Sequence, residues 1–232
     1  MNEQSISSRI LYEDNHLIAV NKLPSEIVQG DKTGDVPLSE DVKQYIKQKY
    51  NKPGNVYLGV IHRIDRPASG VVVFARTGKA LTRMNELVKE RRIEKKYWAI
   101  VKNKPENDKG ELRNFLLKNE KKNKSFVVES KKEGAKEAIL TYCLINESRD
   151  YKLLEINLLT GRHHQIRAQL SAIGCPIKGD LKYGFDRSNK DASISLHARS
   201  VSFIHPVSKQ QINILADPQK DMLWNYFSEN LD

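Results

Sequence analysis

Four short segments of this 232-residue chain concentrate side chains that do chemistry. The first is His62-Arg63-Ile64-Asp65-Arg66-Pro67-Ala68-Ser69-Gly70. An aspartate flanked by arginines in a loop could be a turn-capping residue with surface ion pairs. If the segment is extended, Arg63 and Asp65 face one way and Ile64 packs behind them. The second segment is Lys95-Lys96-Tyr97-Trp98-Ala99-Ile100-Val101, a strand with an aromatic pair behind a basic entry, of a kind that also suits a half-buried core strand. The third is Gly161-Arg162-His163-His164-Gln165-Ile166-Arg167, where two arginines and a strand-to-helix junction converge, an arrangement for phosphate or carboxylate recognition. His163-His164 has no carboxylate or thiolate at a familiar metal spacing, so no metal is expected. The fourth runs from Leu196-His197-Ala198 to Phe203-Ile204-His205-Pro206, with histidines that suit core or turn positions.

These segments need a scaffold, and the periodicity supplies one. Ile10-Leu11-Tyr12 and Leu17 to Val20 read as strands around the turn-forming Asp14-Asn15. Leu38, Val42, Tyr45, Ile46 and Lys49 recur at helical spacing over 38–50, until Asn51 to Asn55 stops them. Tyr57 to Ile61 is apolar, Gly70 opens the buried strand Val71 to Ala75, and Ala80, Leu81, Met84, Leu87 and Val88 mark a second helix. Strand periodicity then returns at 94–101, 112–117, 126–128, 138–145 and 151–159, followed by a short helix at 165–173 and strands at 195–203 and 211–215. Asp217 as N-cap and Pro218 in the first turn predict a closing helix over 218–230 with Met222, Leu223, Tyr226 and Phe227 inward. Direct succession of strands predicts one α+β domain over 10–232, on a mixed, largely antiparallel sheet flanked by helices and loops, after a short tail, 1–9.

The composition, 39% hydrophobic and 29% charged, is that of a globular chain rather than a disordered one. No apolar run approaches the roughly 20 residues that span a bilayer. The polar N-terminus lacks a secretory h-region, so a cytoplasmic location with reduced Cys143 and Cys175 is expected. The net charge of +10 is unevenly spread: residues 76–137 hold 19 basic and 10 acidic side chains, including Arg91-Arg92, Lys95-Lys96, Lys121-Lys122-Asn123-Lys124 and Lys131-Lys132. Such a strip either attracts a polyanion through phosphate contacts or forms a solvated, solubilising face.

Taken in order, the segments resemble the RluA-type pseudouridine synthases, which isomerise uridine in ribosomal and transfer RNA. The resemblance covers about residues 10–223 and rests on H-R-I-D-R-P-A-S-G at 62–70, K-x-Y-W-A at 95–99, G-R-x-H-Q-I-R at 161–167, P-I-K-G-D-x-x-Y-G at 176–184 and L-H-A at 196–198. Ala68 stands where Thr is common, Gln169 and Cys175 where His is common, and Lys22-Leu23-Pro24-Ser25-Glu26 replaces Lys-Pro followed by a glycine. The resemblance implies a stand-alone catalytic domain, without the additional RNA-binding domain of some relatives, and an active cleft across its sheet.

It further implies catalysis by Asp65, Tyr97 and Arg167 without cofactor or metal. Asp65 would be the nucleophile, attacking either the anomeric carbon or the uracil ring. Arg167 would favour its ionised form, and Tyr97 would stack on the uracil and accept a proton directly or through water. Arg63 would fill the place of the extruded uridine. His62, Arg66, Arg162, His164, Gln165, Lys121, Lys122 and Lys124 are the expected RNA contacts, in a monomer with no membrane and no obligate protein partner. Two other classes compete: a non-catalytic RNA-binding or assembly protein on the same fold, and a metal-dependent nuclease or hydrolase.

Overall fold

The computed structural model describes residues 5–31, 34–130 and 132–231, so residues 1–4 of the expected tail and Lys131 of the basic strip lie outside the described residues. In chain order the elements begin with β1 (Ile10–Glu13), β2 (Leu17–Lys22), α1 (Leu38–Lys49), β3 (Gly59–Val60), β4 (Ser69–Ala75), α2 (Gly78–Lys89), β5 (Glu94–Val101) and β6 (Lys109–Asn119). They continue with β7 (Lys124–Val128), β8 (Lys136–Glu147), β9 (Lys152–Leu158), α3 (Gln165–Ala172), β10 (Leu196–Ile204), β11 (Gln211–Leu215) and α4 (Met222–Glu229). This is the α+β composition the periodicity predicts, and the residues cluster into two compact units, 1–93 with 198–217 and 94–197 with 218–232.

In the first unit the strand order is β1-β2-β4-β10, with β3 added to β4 and β11 to β10. Leu17 and Ala19 of β2 and Val71, Val73 and Ala75 of β4 form one core with Ala80 and Met84 of α2 and with Val201, Phe203 and Ile214. The alternate residues Ile18, Val20, Val72 and Phe74 are equally buried, which is why β4 reads as an uninterrupted apolar run. The hydroxyl of Thr77 accepts the Ala80 N–H at 3.1 Å and starts α2. On α1, Leu38, Val42 and Ile46 are buried as the spacing predicts, but Lys49 is exposed, and it and Tyr45 hydrogen-bond Glu13. Residues 6–9, expected as part of a tail, form a 3-10 turn whose Arg9 is buried and holds both carboxylate oxygens of Glu26 at 2.8 Å.

Gly70 opens β4 at φ +115°, and a Cβ there would lie 2.5 Å from the backbone nitrogen of Ala198. Two of the segments singled out in the sequence therefore meet backbone to backbone, and only glycine permits it. Gly70→Ala is expected to destabilise the protein by roughly 3 kcal/mol or more, since conformational strain and a backbone collision add; a thermal or denaturant melt within about 1 kcal/mol of wild type would contradict this.

The second unit is the antiparallel series β5-β9-β8-β6-β7. β6 and β8 outrun the apolar stretches that announced them, because charged residues such as Lys109, Glu111 and Lys136 continue the ladder on exposed positions, and β7 begins two residues early, at Lys124. α3 covers one face of this sheet: Ala168 packs with Leu116, Ala138 and Tyr183, and the Gln169 amide reaches Leu112 O, Asn114 Oδ1 and Ala138 O. Trp224 and Phe227 of α4 cover the other face, against Trp98, Ile100 and Leu153.

The closing helix differs from the sequence expectation. Its N-cap is Asp221, which accepts the N–H groups of Leu223 and Trp224, so the helix starts four residues later than Asp217-Pro218 suggests. Asp217 is engaged by the Arg199 guanidinium instead, at 2.6 Å. The shifted start turns Trp224 inward with Phe227 and leaves Met222 almost fully exposed.

Candidate active site

The loop between β3 and β4 carries Asp65. Ile61 and Ile64 are buried, Arg63 and Arg66 are exposed, and His62 and Asp65 are partly buried, a repeat of three that differs from the two-residue alternation expected of an extended segment. After Asp65 the chain turns: its carbonyl accepts the Ala68 N–H at 3.0 Å, and the Arg66 carbonyl accepts the Ser25 N–H at 2.9 Å. His62 Nε2 accepts the Val73 N–H at 3.1 Å, tying the start of the loop to β4. Arg66 pairs with Asp35 at 2.7 Å, with both side chains about half exposed.

Beneath the loop lies Lys22, the last residue of β2, which is completely buried. Its ammonium donates to the carbonyls of Leu23 at 2.8 Å, Arg66 at 3.1 Å and Ala68 at 2.8 Å. Three acceptors use all three ammonium protons, so the geometry is that of a charged lysine. Burial pulls its pKa down to about 7, while the charges of Glu26 and Asp65 act to raise it. Glu26 in turn accepts the Leu23 N–H and holds Arg9. The departure Lys22-Leu23-Pro24-Ser25-Glu26 is thus a brace for the Asp65 loop, which the sequence reading missed; the signal was a lysine ending the apolar strand Leu17 to Val20. Lys22→Met keeps the length of the side chain but takes the ammonium from three carbonyls, of which that of Arg66 keeps the Ser25 N–H. It is expected to cost about 2–4 kcal/mol of stability and to lower turnover more than RNA affinity, read by thermal melts and single-turnover rates.

In the second unit Tyr97 sits on β5 opposite Ile156, 6% exposed, on the face that α3 covers. Its fixed strand backbone makes the ring rigid, while Trp98 points to the other face and packs in the core. Arg167 lies on α3 and is buried; its Nε donates to Asp180 Oδ2 at 2.6 Å and its Nη2 to Asp180 Oδ1 at 2.9 Å. The guanidinium carbon also stands 5.0 Å from the centre of the Tyr183 ring. Asp180 and Tyr183 both belong to the 176–184 segment, so two side chains of that segment hold the Arg167 guanidinium in place.

The remaining expected contacts divide into structural braces and exposed cations. Gln165 is buried and committed: its Oε1 accepts the Thr160 hydroxyl at 2.8 Å and the Arg162 N–H at 3.0 Å, and its Nε2 donates to Ile139 O. Arg162 donates Nε to the Glu137 carbonyl at 2.8 Å. His164 precedes α3 in the left-handed region, hydrogen-bonds the Tyr183 hydroxyl at 3.0 Å and stacks on His163 at 3.8 Å. Burial first, then the charges of Arg167 and His163, push its pKa down to about 2, so it is an uncharged imidazole. Both nitrogens of His163 are within hydrogen-bond reach of partners, Ser125 Oγ and Asn123 Oδ1. Lys124 turns inward, donating to the Lys182 carbonyl above the Tyr183 ring, whereas Lys121 and Lys122 stand exposed in the turn between β6 and β7. His197 is buried with its ring edge-on to Trp224, and His205 is buried beside Asp14, the core and turn positions expected of them.

Comparison with known proteins places the chain in a family. Residues 16–172 match the family model described as RNA pseudouridylate synthase. Relatives include ribosomal large subunit pseudouridine synthase C of Buchnera aphidicola subsp. Baizongia pistaciae, 32% identical over 97% of this chain and 71% of the relative. Another is ribosomal large subunit pseudouridine synthase D of Zymomonas mobilis, 31% identical over 94% of this chain and 72% of the relative. The fold is that of human RNA pseudouridylate synthase domain containing 4, with a TM-score of 0.81 at 22% identity over 99% of this chain and 95% of that one. The chain therefore belongs to the RNA pseudouridylate synthase family, the isomerases that convert uridine in RNA to pseudouridine.

Proposed function

We propose that the substrate is ribosomal RNA and that Asp65 is the nucleophile. The observation that carries this reading is the Lys22 brace: a buried ammonium spent wholly on backbone carbonyls, two of them in the Asp65 loop, is worth its desolvation only if the side chain that loop presents must be held still. Relatives named as large-subunit ribosomal enzymes, aligned over more than nine-tenths of the chain, support the choice of RNA.

The reaction breaks the N1–C1′ bond of uridine, rotates the uracil and forms a C5–C1′ bond; the C5 proton leaves and N1 gains one, so composition is unchanged and no redox partner enters. Asp65 attacks either C1′ or the uracil ring to carry the base through the exchange. Arg167 serves as the cationic residue of the reaction, as the family resemblance implies, and Tyr97 stacks on the uracil and takes the C5 proton directly or through water. The uridine is flipped out of its helix, with Arg63 in the vacancy. Arg66, Arg162, His62 and the 121–124 turn follow the backbone, and the protein works as a cytoplasmic monomer. Both cysteines are free thiols, which suits a reducing compartment. Mapping pseudouridine position by position in total RNA from cells with and without this protein tests the reading; loss of no ribosomal position would sink it. An Asp65→Ala protein that retains its cellular role would favour the non-catalytic RNA-binding alternative.

The 121–124 turn has its own test. Replacing Lys121 and Lys122 by Ala is expected to weaken binding of many RNA sequences alike and to flatten the dependence of log affinity on log salt by about 0.7–0.9 for each phosphate that is no longer neutralised. Adding Lys124→Ala is expected to lower stability as well, because its ammonium braces Lys182 and Tyr183. An unchanged salt slope in the double variant would make the turn a solvated loop.

A further inference from the structure

Lys95 stands two residues before Tyr97 on β5, so strand alternation turns both side chains to the same face. Its neighbour Lys96 points to the other face and pairs with Glu155 at 2.8 Å. Lys95 is partly buried, yet among the described residues no carboxylate, carbonyl or aromatic ring meets its ammonium. Burial alone shifts its pKa, downward from the ordinary lysine value. Beside it lies exposed Gly161, where a Cβ would stand 3.9 Å from Lys95 Nζ; any larger side chain at 161 would fill the space next to the ammonium.

A cation drawn partly out of water with no counter-charge costs stability, and a methionine of the same length would cost less. Packing therefore does not account for a lysine here. What accounts for it is an anion that arrives with the substrate. A compact ammonium on a rigid strand is a point charge suited to a phosphate oxygen. We propose that Lys95 binds one phosphodiester of the RNA, that of the nucleotide presented to Tyr97, with the bare backbone at Gly161 leaving room for the phosphate. The proposal rests on the reading that this chain modifies RNA and adds to it the residue that anchors the flipped nucleotide by its backbone.

The test compares wild type with Lys95→Met, Lys95→Gln and Lys95→Arg on unmodified large-subunit ribosomal RNA transcribed in vitro. Binding is measured across a salt series, with kcat/KM and thermal melts alongside. Lys95→Met and Lys95→Gln are expected to flatten the salt slope by about 0.7–0.9 and to lower kcat/KM by about tenfold or more, while Lys95→Met melts at or above the wild-type temperature. Lys95→Arg is expected to keep the wild-type slope. Unchanged slope and kcat/KM in the Met and Gln variants would overturn the proposal, as would a lowered melting temperature with both functions intact, the mark of a merely structural lysine. If wild type itself forms no pseudouridine in this RNA, the choice of substrate fails, whereas a slope difference between wild type and Lys95→Met would still support the phosphate contact.

Discussion

Asp65→Asn is expected to reduce isomerisation on the order of 10³-fold or more, because the amide lacks the charge that makes the carboxylate a nucleophile. The substitution should not unfold the loop. Bonds that shape it, from Lys22 to the carbonyls of Arg66 and Ala68 and from the Ala68 N–H to the carbonyl of residue 65, are made to the backbone and are kept in the variant. RNA affinity is expected to stay within roughly tenfold of wild type, equivalent to about 1.4 kcal/mol. Single-turnover assays on purified protein check the rate, and turnover above roughly a few per cent of wild type would remove Asp65 from the role of nucleophile.

The second large effect is expected at the buried pair of Arg167 and Asp180. Asp180→Ala leaves a guanidinium that is 5% exposed without its carboxylate, at a cost of about 3–5 kcal/mol. For a chain of this size that lowers the melting temperature by roughly 10 °C. Arg167→Ala strands the carboxylate and is expected to cost a similar amount, and the double variant less than the sum of the two. Activity separates the roles. If Arg167 acts on the nucleophile and Asp180 only on Arg167, then Arg167→Ala loses rate far more than affinity, and Asp180→Asn, which keeps the shape, retains much of the rate. Equal activity in Arg167→Ala and wild type at saturating RNA would show that the arginine serves the fold alone.

Much of this molecule is legible in its sequence where function compresses into consecutive residues. The 62–70, 95–99 and 161–167 segments name the Asp65 loop, the Tyr97 strand and the Arg167 helix because each holds its neighbours within one turn or strand. What stays illegible is partnership across sequence distance. Nothing in Leu17 to Lys22 says that the lysine will meet carbonyls more than forty positions onward, and Gly161 to Arg167 does not announce that its last guanidinium is clasped by Asp180. The same blindness affects polar residues. Gln165 and Lys124 read as nucleic-acid contacts by type, but in the fold their polar atoms are turned to Thr160, Ile139 and Lys182. The α4 boundary slips because two Asp residues, Asp217 and Asp221, each offer a cap, and only burial of Trp224 decides between them.

The Lys22 ammonium grips main-chain oxygens and no side chain of the loop above it. At residues 66 and 68 the loop is thereby held through its main chain, whereas at His62 and Gly70 it depends on the residue itself. Arg63, which is exposed, is expected to be exchangeable without loosening the frame that carries Asp65. If Arg63 contacts the RNA as proposed, exchange at this outward position would change which RNA stem is bound while the brace beneath Asp65 stays in place, so a library randomised there would separate the choice of RNA from the rate of reaction.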